Sequence, residues 1–482
     1  AYAVREFDIA AEQPQPPGYI AYVWLCRLVD LLFNDPQVTM VWLSIGFSGL
    51  AAVAMYLLGR AMFGQKTGLV AGLLLASSPL FWFYGEIALP HTVDTFFVIL
   101  SNWLMYEMML GRVRAVIPAA VSLSVAGGIR QQTPVFLAPL ALFAGARFLQ
   151  HVGWKEGWKR IGLAVAVFGL LCAAWFFPLI GSAGGLVRYL EVTGAFLDRF
   201  DASSSLFAAG GTWGLSRNLR KLGMYTLYGW SAGTLPLAVY GMGRLRQRKL
   251  NIQWERALFF LAWVLPSLFF YALIHMGQQG LIFVYLPMLL LWSAHSLICF
   301  LQRASSATVR RVVIGALAAA NVGIFVFTPE YPVVGTRVRL LTRETLINSD
   351  RYYQDRFTAT ERDFPVQSTV IIAANWHHVE YYLPDYALLP FDIGSKWEID
   401  EGVPTGSPHD LVVTPVQLGV QPSSLERVIV VMFDPDLMAY NESPTSTRLL
   451  YLRHGGELPF LVLRGGQALH YGTRSFGIVD DE

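Results

Sequence analysis

Residues 8–19 read DIAAEQPQPPGY. Two acids, Asp8 and Glu12, precede a turn, Gln13-Pro14-Gln15-Pro16-Pro17-Gly18, that ends on Tyr19. The prolines restrict the backbone and the glycine frees it, so the stretch reads as a rigid turn that presents side chains. It stands ahead of every long apolar run, and nearly everything from residue 38 to 328 reads as membrane helix. A polar, acidic, proline-stiffened loop at the head of such a chain is read as lining a site at the membrane surface, with the helices behind it holding that site.

The composition agrees. Of 482 residues, 54% are hydrophobic and only 15% charged, too apolar for an ordinary soluble protein, and the mean hydropathy of +0.44 says the same. A net charge of +2 leaves no broad basic field, which argues against a nucleic-acid partner. Cys26, Cys172 and Cys299 lie in apolar segments without metal-ligand spacing and read as inert packing residues. The chain opens on Ala1 with no signal peptide, yet the topology below puts residue 1 outside, so a further membrane helix is expected upstream.

Residues 17–34 are apolar but carry Arg27 and Asp30, which suits a helix lying on the membrane surface. Ten candidate spans follow, at 38–58, 67–87, 90–110, 115–129, 132–149, 161–181, 219–241, 256–275, 281–301 and 311–328, most of them near the ~20 residues that cross a bilayer. Basic residues fill every second loop: Arg60 and Lys66, Arg112 and Arg114, Lys155 to Arg160, Arg244 to Lys249, and Arg303 to Arg311. Those loops are assigned to the cytoplasm. The opening loop, the 86–91 turn, the Arg130 region, a long 182–218 loop and residues 275–280 then face outside.

Ten spans that start outside also end there, so residues 329–482 are expected to form an external soluble domain. Its texture differs: STVIIAA (368–374), RVIVVMF (427–433) and FLVLRG (460–465) read as short buried strands of an α/β or α+β fold. The expected organisation is thus an external loop and interfacial helix (1–37), a mainly α transmembrane domain (38–328) and the external domain.

The outward face collects the unusual residues. Glu86 follows the aromatic run Phe81-Trp82-Phe83-Tyr84-Gly85, and His91 and Asp94 open the next span. An acid at a membrane boundary is costly and marks a functional candidate. Arg130 sits in AGGIRQQTP, where two glycines allow close backbone approach; an arginine there suits a phosphate, which its fork can hold with two hydrogen bonds. His275, Gln278 and Gln279 lie together in IHMGQQG. Glu86, His91 and His275 share one face, which keeps a divalent metal as a candidate, although no two of them have tight ligand spacing. Arg188, Arg199, Arg217, Arg220 and Lys221, in or beside the long outer loop, suit anionic headgroups, an anionic donor or a solvated amphipathic helix. Asn375-Trp376-His377-His378 follows a strand, where α/β folds often bind ligands.

The acidic opening loop, the QPQPPGY turn, the interfacial helix, GRAMFG between the first two spans and PLFWFYGEIAL at the end of the second together resemble the GT-C superfamily. Its members here are the bacterial glycosyltransferase family 39, the protein O-mannosyltransferases and the aminoarabinose lipid A transferases. The resemblance covers roughly residues 1–330. It implies transfer of a hexosyl or pentosyl group from a polyprenyl-phosphate carrier to a lipid, glycan or protein acceptor at the outer face of the bacterial inner membrane. It implies an acid in the first external loop as general base, polar and basic residues on the carrier phosphate, and a soluble domain after the last helix. The family turn usually has His where Gln15 stands, and its acid usually falls just after the first helix, at or upstream of residue 1. Asp8 is the acid present, either as base or as the residue that orients the loop.

The roles expected are Asp8 and Glu86 in catalysis, Arg130, His275 and Gln278 on the donor phosphate, and Glu12, Gln15, Tyr19 and His91 in positioning acceptor or loop. Two rival classes remain: a transporter or lipid flippase, which calls for mid-bilayer polar residues, discontinuous helices and repeated halves, where the spans show few mid-span charges and no clear repeat, and a non-catalytic scaffold whose external domain binds a partner.

Overall fold

The computed structural model describes all residues except 12, 209–210, 247–252, 303–305, 333–337, 375, 391–397, 401–402, 406–426, 441–446, 465–467, 472–473 and 478–482. It divides into two compact units, Ala1–Glu344 and Thr345–Glu482.

The first unit is helical. In chain order its helices are α1 (Tyr2–Arg5), α2 (Ile20–Phe33), α3 (Pro36–Phe63), α4 (Gln65–Ala76), α5 (Pro79–Gly85), α6 (His91–Met109), α7 (Val116–Ile129), α8 (Gln132–Val152), α9 (Trp154–Ser182), α10 (Leu186–Ser204), α11 (Gly211–Trp230), α12 (Thr234–Arg246), α13 (Trp254–Leu273), α14 (Leu286–Leu301) and α15 (Ala307–Phe327). Among the described residues, α3, α8, α9, α13 and α15 are long and apolar enough to cross a membrane, and α4 with α5, bent by 64°, passes the same test as a pair, as a broken span or a re-entrant loop.

Local chemistry sets the ends. Asp35 caps α3 by accepting from the Gln37 and Val38 amides (2.8 and 3.2 Å), with Pro36 in the first turn. Gly64, at φ +96°, turns the chain from α3 into α4. Gly59 lets those two helices touch, since a Cβ there would lie 2.7 Å from the Gly68 Cα. Two glycines of GRAMFG are thus explained, one by contact and one by the turn.

α2 has one exposed apolar side and one buried side. It leaves Leu28, Leu31 and Leu32 exposed and buries Tyr22 and Cys26 against Val4, Leu43, Val93 and Ile129. Its charges are spent locally: Arg27 donates to the Val4 and Ala3 carbonyls (2.8 and 3.2 Å), and Asp30 accepts from Thr39 (2.6 Å).

Three expected features take another form. The second span breaks at residues 77–78, because Pro79 cannot continue a helix by donating back to it. The span expected at 219–241 breaks at Ser231–Gly233, a short 3-10 turn with Ser231 at φ +42°. Asn321 of α15 serves both breaks, accepting from the Ala232 amide (2.9 Å) and donating to the Ser77 hydroxyl (3.4 Å). Backbone freed at membrane depth survives where protein groups satisfy it. The region expected as a long loop at 182–218 is largely helix, α10 and the start of α11. Arg188 and Glu191 pair one turn apart on α10 (3.4 Å), so its charges lie along a helix face rather than in a loop.

The second unit holds helices α16 (Arg343–Asp363) and α17 (Trp376–Tyr382) and strands β1 (Thr369–Ala373), β2 (Ala387–Pro390), β3 (Glu398–Asp400), β4 (Val403–Thr405), β5 (Arg427–Met432), β6 (Arg448–Tyr451), β7 (Glu457–Arg464), β8 (Ala468–Tyr471) and β9 (Arg474–Gly477). Five strands form one sheet in the order β2-β1-β5-β7-β6, with β1 parallel to β2 and β5, and β7 antiparallel to β5 and β6. The three strands read from the sequence are the adjacent central ones. Ile371, Val431, Phe433 and Leu458 are fully buried and pack with Val379 and Ala359. Asp434 ties the pieces together, accepting from the Tyr352 hydroxyl (2.8 Å) and the Ala374 amide (2.7 Å).

Candidate active site

The site starts at the first turn of α6. Ser44 of α3 donates to the Ile87 and Leu89 carbonyls (2.7 and 3.2 Å) and so fixes the turn leading into His91. His91 and Asp94 are both buried, one turn apart on the same helix face. Arg130 caps the end of α7 in extended conformation, and its side chain is buried beside them.

Arg130 Nη1 donates to His91 Nδ1 at 3.3 Å and lies 3.8 Å from Asp94 Oδ2. A guanidinium can only donate, so Nδ1 is the acceptor and the imidazole proton sits on Nε2. That Nε2–H donates to Gln278 Oε1 at 2.9 Å. Thr133 donates to the other Asp94 oxygen, Oδ1, at 2.7 Å. Tyr84 sets its ring edge-on to His91 with centroids 4.6 Å apart, and Gly280 closes the far side, where a Cβ would lie 2.7 Å from His91 Nδ1.

Among the described residues, Arg130 Nε and Nη2 have no acceptor, and neither has the Gln278 side-chain amide as a donor. The buried end of α6 thus offers several unspent N–H donors around one positive charge, which is the chemistry of an oxyanion site.

The opening loop docks beside this group. Gln131, next to Arg130, donates through Nε2 to the Gly18 carbonyl and, at 3.4 Å, to that of Pro17. Tyr189 donates to the Pro17 carbonyl from the other side (3.0 Å). Gly128 makes the docking of α2 possible, since a Cβ there would come within 2.6 Å of the Ala21 Cβ. The close approach expected of AGGIRQQTP is between α7 and α2.

The expected site residues fall into two groups. Arg130, His91 and Gln278 converge, with Asp94, and Tyr19 packs against the cluster that holds Val93 and Ile129. Asp8 holds its own turn: its backbone exchanges two hydrogen bonds with Gln13 (2.7 Å each), and its Oδ1 accepts from the Ala10 and Ala11 amides (2.8 and 3.3 Å). Its Oδ2 has no partner among the described residues. Gln15 is exposed, and Glu12 lies outside the described residues. Glu86 is exposed and accepts from the Trp82 indole (2.5 Å). His275 pairs through Nδ1 with Ser204 (2.8 Å), and its Nε2 lies against Gly277. Glu86, His91 and His275 thus have separate partners, and the described residues contain no cluster of three side chains able to hold a metal.

Sequence reading missed Thr133, Gln131 and Tyr84. Gln131 follows Arg130 directly and Thr133 lies three residues on, and that nearness in the chain is the one signal that could have marked them.

The helical unit with its docked opening loop, followed by a second compact unit, has a fold similar to that of solved polytopic glycosyltransferases, and a family model matches its first part, in line with the resemblance drawn from the sequence. The family model described as dolichyl-phosphate-mannose-protein mannosyltransferase matches residues 15–177. ArnT from Cupriavidus metallidurans in the apo state is similar with a TM-score of 0.56 and 15% identity, over 96% of this chain and 92% of that one. The same protein bound to undecaprenyl phosphate is similar with a TM-score of 0.57 and 15% identity, over 92% and 87%. No curated protein sequence matches the chain.

Proposed function

We propose that this chain is a glycosyltransferase of the bacterial inner membrane, which moves a sugar from a polyprenyl-phosphate carrier to a hydroxyl of a lipid, glycan or protein at the outer face. The observation that carries the reading is the buried Arg130 guanidinium, held through Nη1 by His91 and Asp94 with Nε and Nη2 unspent. The solved relative described as bound to undecaprenyl phosphate supports the carrier class.

In the reaction, the acceptor oxygen bonds to the anomeric carbon as the bond from that carbon to the carrier phosphate breaks. The hydroxyl proton passes to a carboxylate, and the carrier leaves as a phosphate monoester. Negative charge grows on the phosphate oxygens, so donors already fixed around them favour the transition state over the ground state. Arg130 supplies two donors in one plane and Gln278 a third. His91 orients both, and Asp94 holds the guanidinium without using its fork. Asp8 is assigned the base through its unspent Oδ2, and Glu86, at the rim, the acceptor or the donor sugar. His275, Tyr19, Gln15 and Glu12 shape the loops around them. The external domain read from the sequence at 329–482 is assigned to the outer side.

The test is transfer from a panel of polyprenyl-phosphate sugars by the full-length protein in proteoliposomes. Release of polyprenyl phosphate that depends on Arg130 is expected; no transfer from any donor, or full turnover by Arg130→Ala, would sink the proposal.

A further inference from the structure

α6 carries His91 at one end and Met109 at the other, about 27 Å apart at 1.5 Å per residue. A cavity of about 540 Å³ opens at the second end. One wall is Trp103 and Leu104, half-buried on α6; the other is the turn that carries Arg112 and Arg114. Glu107 lies between them and pairs with Arg112. That pair is locked by the turn, since the Arg112 amide donates to the Glu107 carbonyl (3.1 Å) and Gly111, at φ +79°, abuts His151 of α8. Arg114 is exposed and pairs with no acid among the described residues.

The charge count is therefore one acid neutralised by one arginine, with the Arg114 charge left over. An uncompensated cation beside an apolar wall at the end of α6, which the sequence reading takes as a span at 90–110, matches an amphiphile with an anionic head. Leu110, 42% exposed, extends the apolar rim at the level of the turn. A tryptophan at this depth is the side chain that favours the boundary between headgroups and acyl chains. A soluble phosphate would make no use of Trp103 and Leu104.

We infer that this cavity is a binding site for an anionic phospholipid of the leaflet opposite the Arg130 site, its phosphate on Arg114 and its acyl chains along Trp103 and Leu104. The inference rests on the sequence reading of 90–110 as a span, not on glycosyl transfer.

The test is native mass spectrometry of the full chain released from nanodiscs of phosphatidylglycerol or phosphatidylcholine. The wild-type chain is expected to retain phosphatidylglycerol in preference, and Arg114→Gln to lower that retention about fivefold, the effect of one cation near an anionic surface. Lys159→Gln, outside the cavity, serves as control and is expected to change nothing. Equal retention of the two lipids by the wild type, or an equal loss with Lys159→Gln, overturns the site. Displacement of the lipid by millimolar inorganic phosphate alone would show a free-anion site and overturn the lipid assignment. Should Arg114→Gln fail to fold, a phosphatidylglycerol with a photoreactive acyl chain decides on the wild type. Labelling of the peptide containing Trp103 and Leu104 supports the site, and its absence sinks it. Transfer activity is not the readout, so loss of the proposed activity leaves these outcomes intact.

Discussion

Arg130 Nη1 donates to His91 Nδ1 at 3.3 Å, and this contact fixes the proton of a buried imidazole on the nitrogen that faces Gln278. An arginine from the end of one helix thereby sets the tautomer at the start of another. The arrangement holds the guanidinium by one nitrogen and leaves its other donors for an anion.

If Arg130 meets the carrier phosphate, Arg130→Ala should lower kcat/KM by about 10²-fold or more. Removing one partner of a buried pair also destabilises, by about 3–5 kcal/mol, so the loss needs separating from unfolding. Asp94→Asn with Arg130→Met removes both charges and should recover much of the lost thermal stability without recovering turnover. Recovered turnover in the double variant would reduce Arg130 to a structural role.

Asp8 both holds its turn and is assigned the base. Asparagine keeps the oxygen that accepts from the Ala10 and Ala11 amides but cannot take a proton. Asp8→Asn should therefore fold with an unchanged melting temperature and lose turnover, whereas Asp8→Ala should lose about 1 kcal/mol of stability as well. An active Asp8→Asn protein would place the base elsewhere.

Gly280 leaves no room for a side chain: an added Cβ meets His91 Nδ1 at 2.7 Å and Tyr84 Cε1 at 2.9 Å. Gly280→Ala must shift a buried ring, at about 1–3 kcal/mol, and should break the Arg130–His91 contact. The expected result is a raised KM for the donor in steady-state assays.

Gly128→Ala should likewise loosen the opening loop, because its Cβ would displace Ala21 of α2. Limited proteolysis within residues 8–19 should accelerate, while the second unit stays intact.

In the second unit, burial pushes the Asp355 carboxyl up, but hydrogen bonds from the His454 ring (2.8 Å) and amide (2.9 Å) outweigh it and hold the carboxyl below its usual range. A depressed carboxylate contributes stability that is present above its unfolded value, about 3.9, and is lost as pH falls through the lower folded value. Thermal unfolding of the full chain should therefore show Asp355→Ala less stable than wild type at neutral pH by up to about 1 kcal/mol, with the gap closing below about pH 4.

Much of the architecture was legible in the residues. Apolar runs marked the helices of the first unit, and short β-branched runs marked β1, β5 and β7, because burial on both faces leaves a continuous apolar signature. The edge strands β2 and β6 passed unread, being four residues each with half-exposed faces. The 182–218 region reads as an outer loop because it is too polar for a span, with a solvated amphipathic helix as one reading of its basic residues, and α10 and the start of α11 are helical.

The sequence by itself determined the membrane class, the opening loop, and Arg130, His91 and Gln278 as separate candidates on one face. Only the tertiary structure decided that these three meet, across 39 and 187 residues of chain, while Glu86 and His275 take other partners. Hydropathy is a local property that says a helix is buried in lipid or protein but not how it is rotated. Contact between polar groups depends on that rotation, on where helices break, and on glycines such as Gly59 and Gly128 that let one helix approach another.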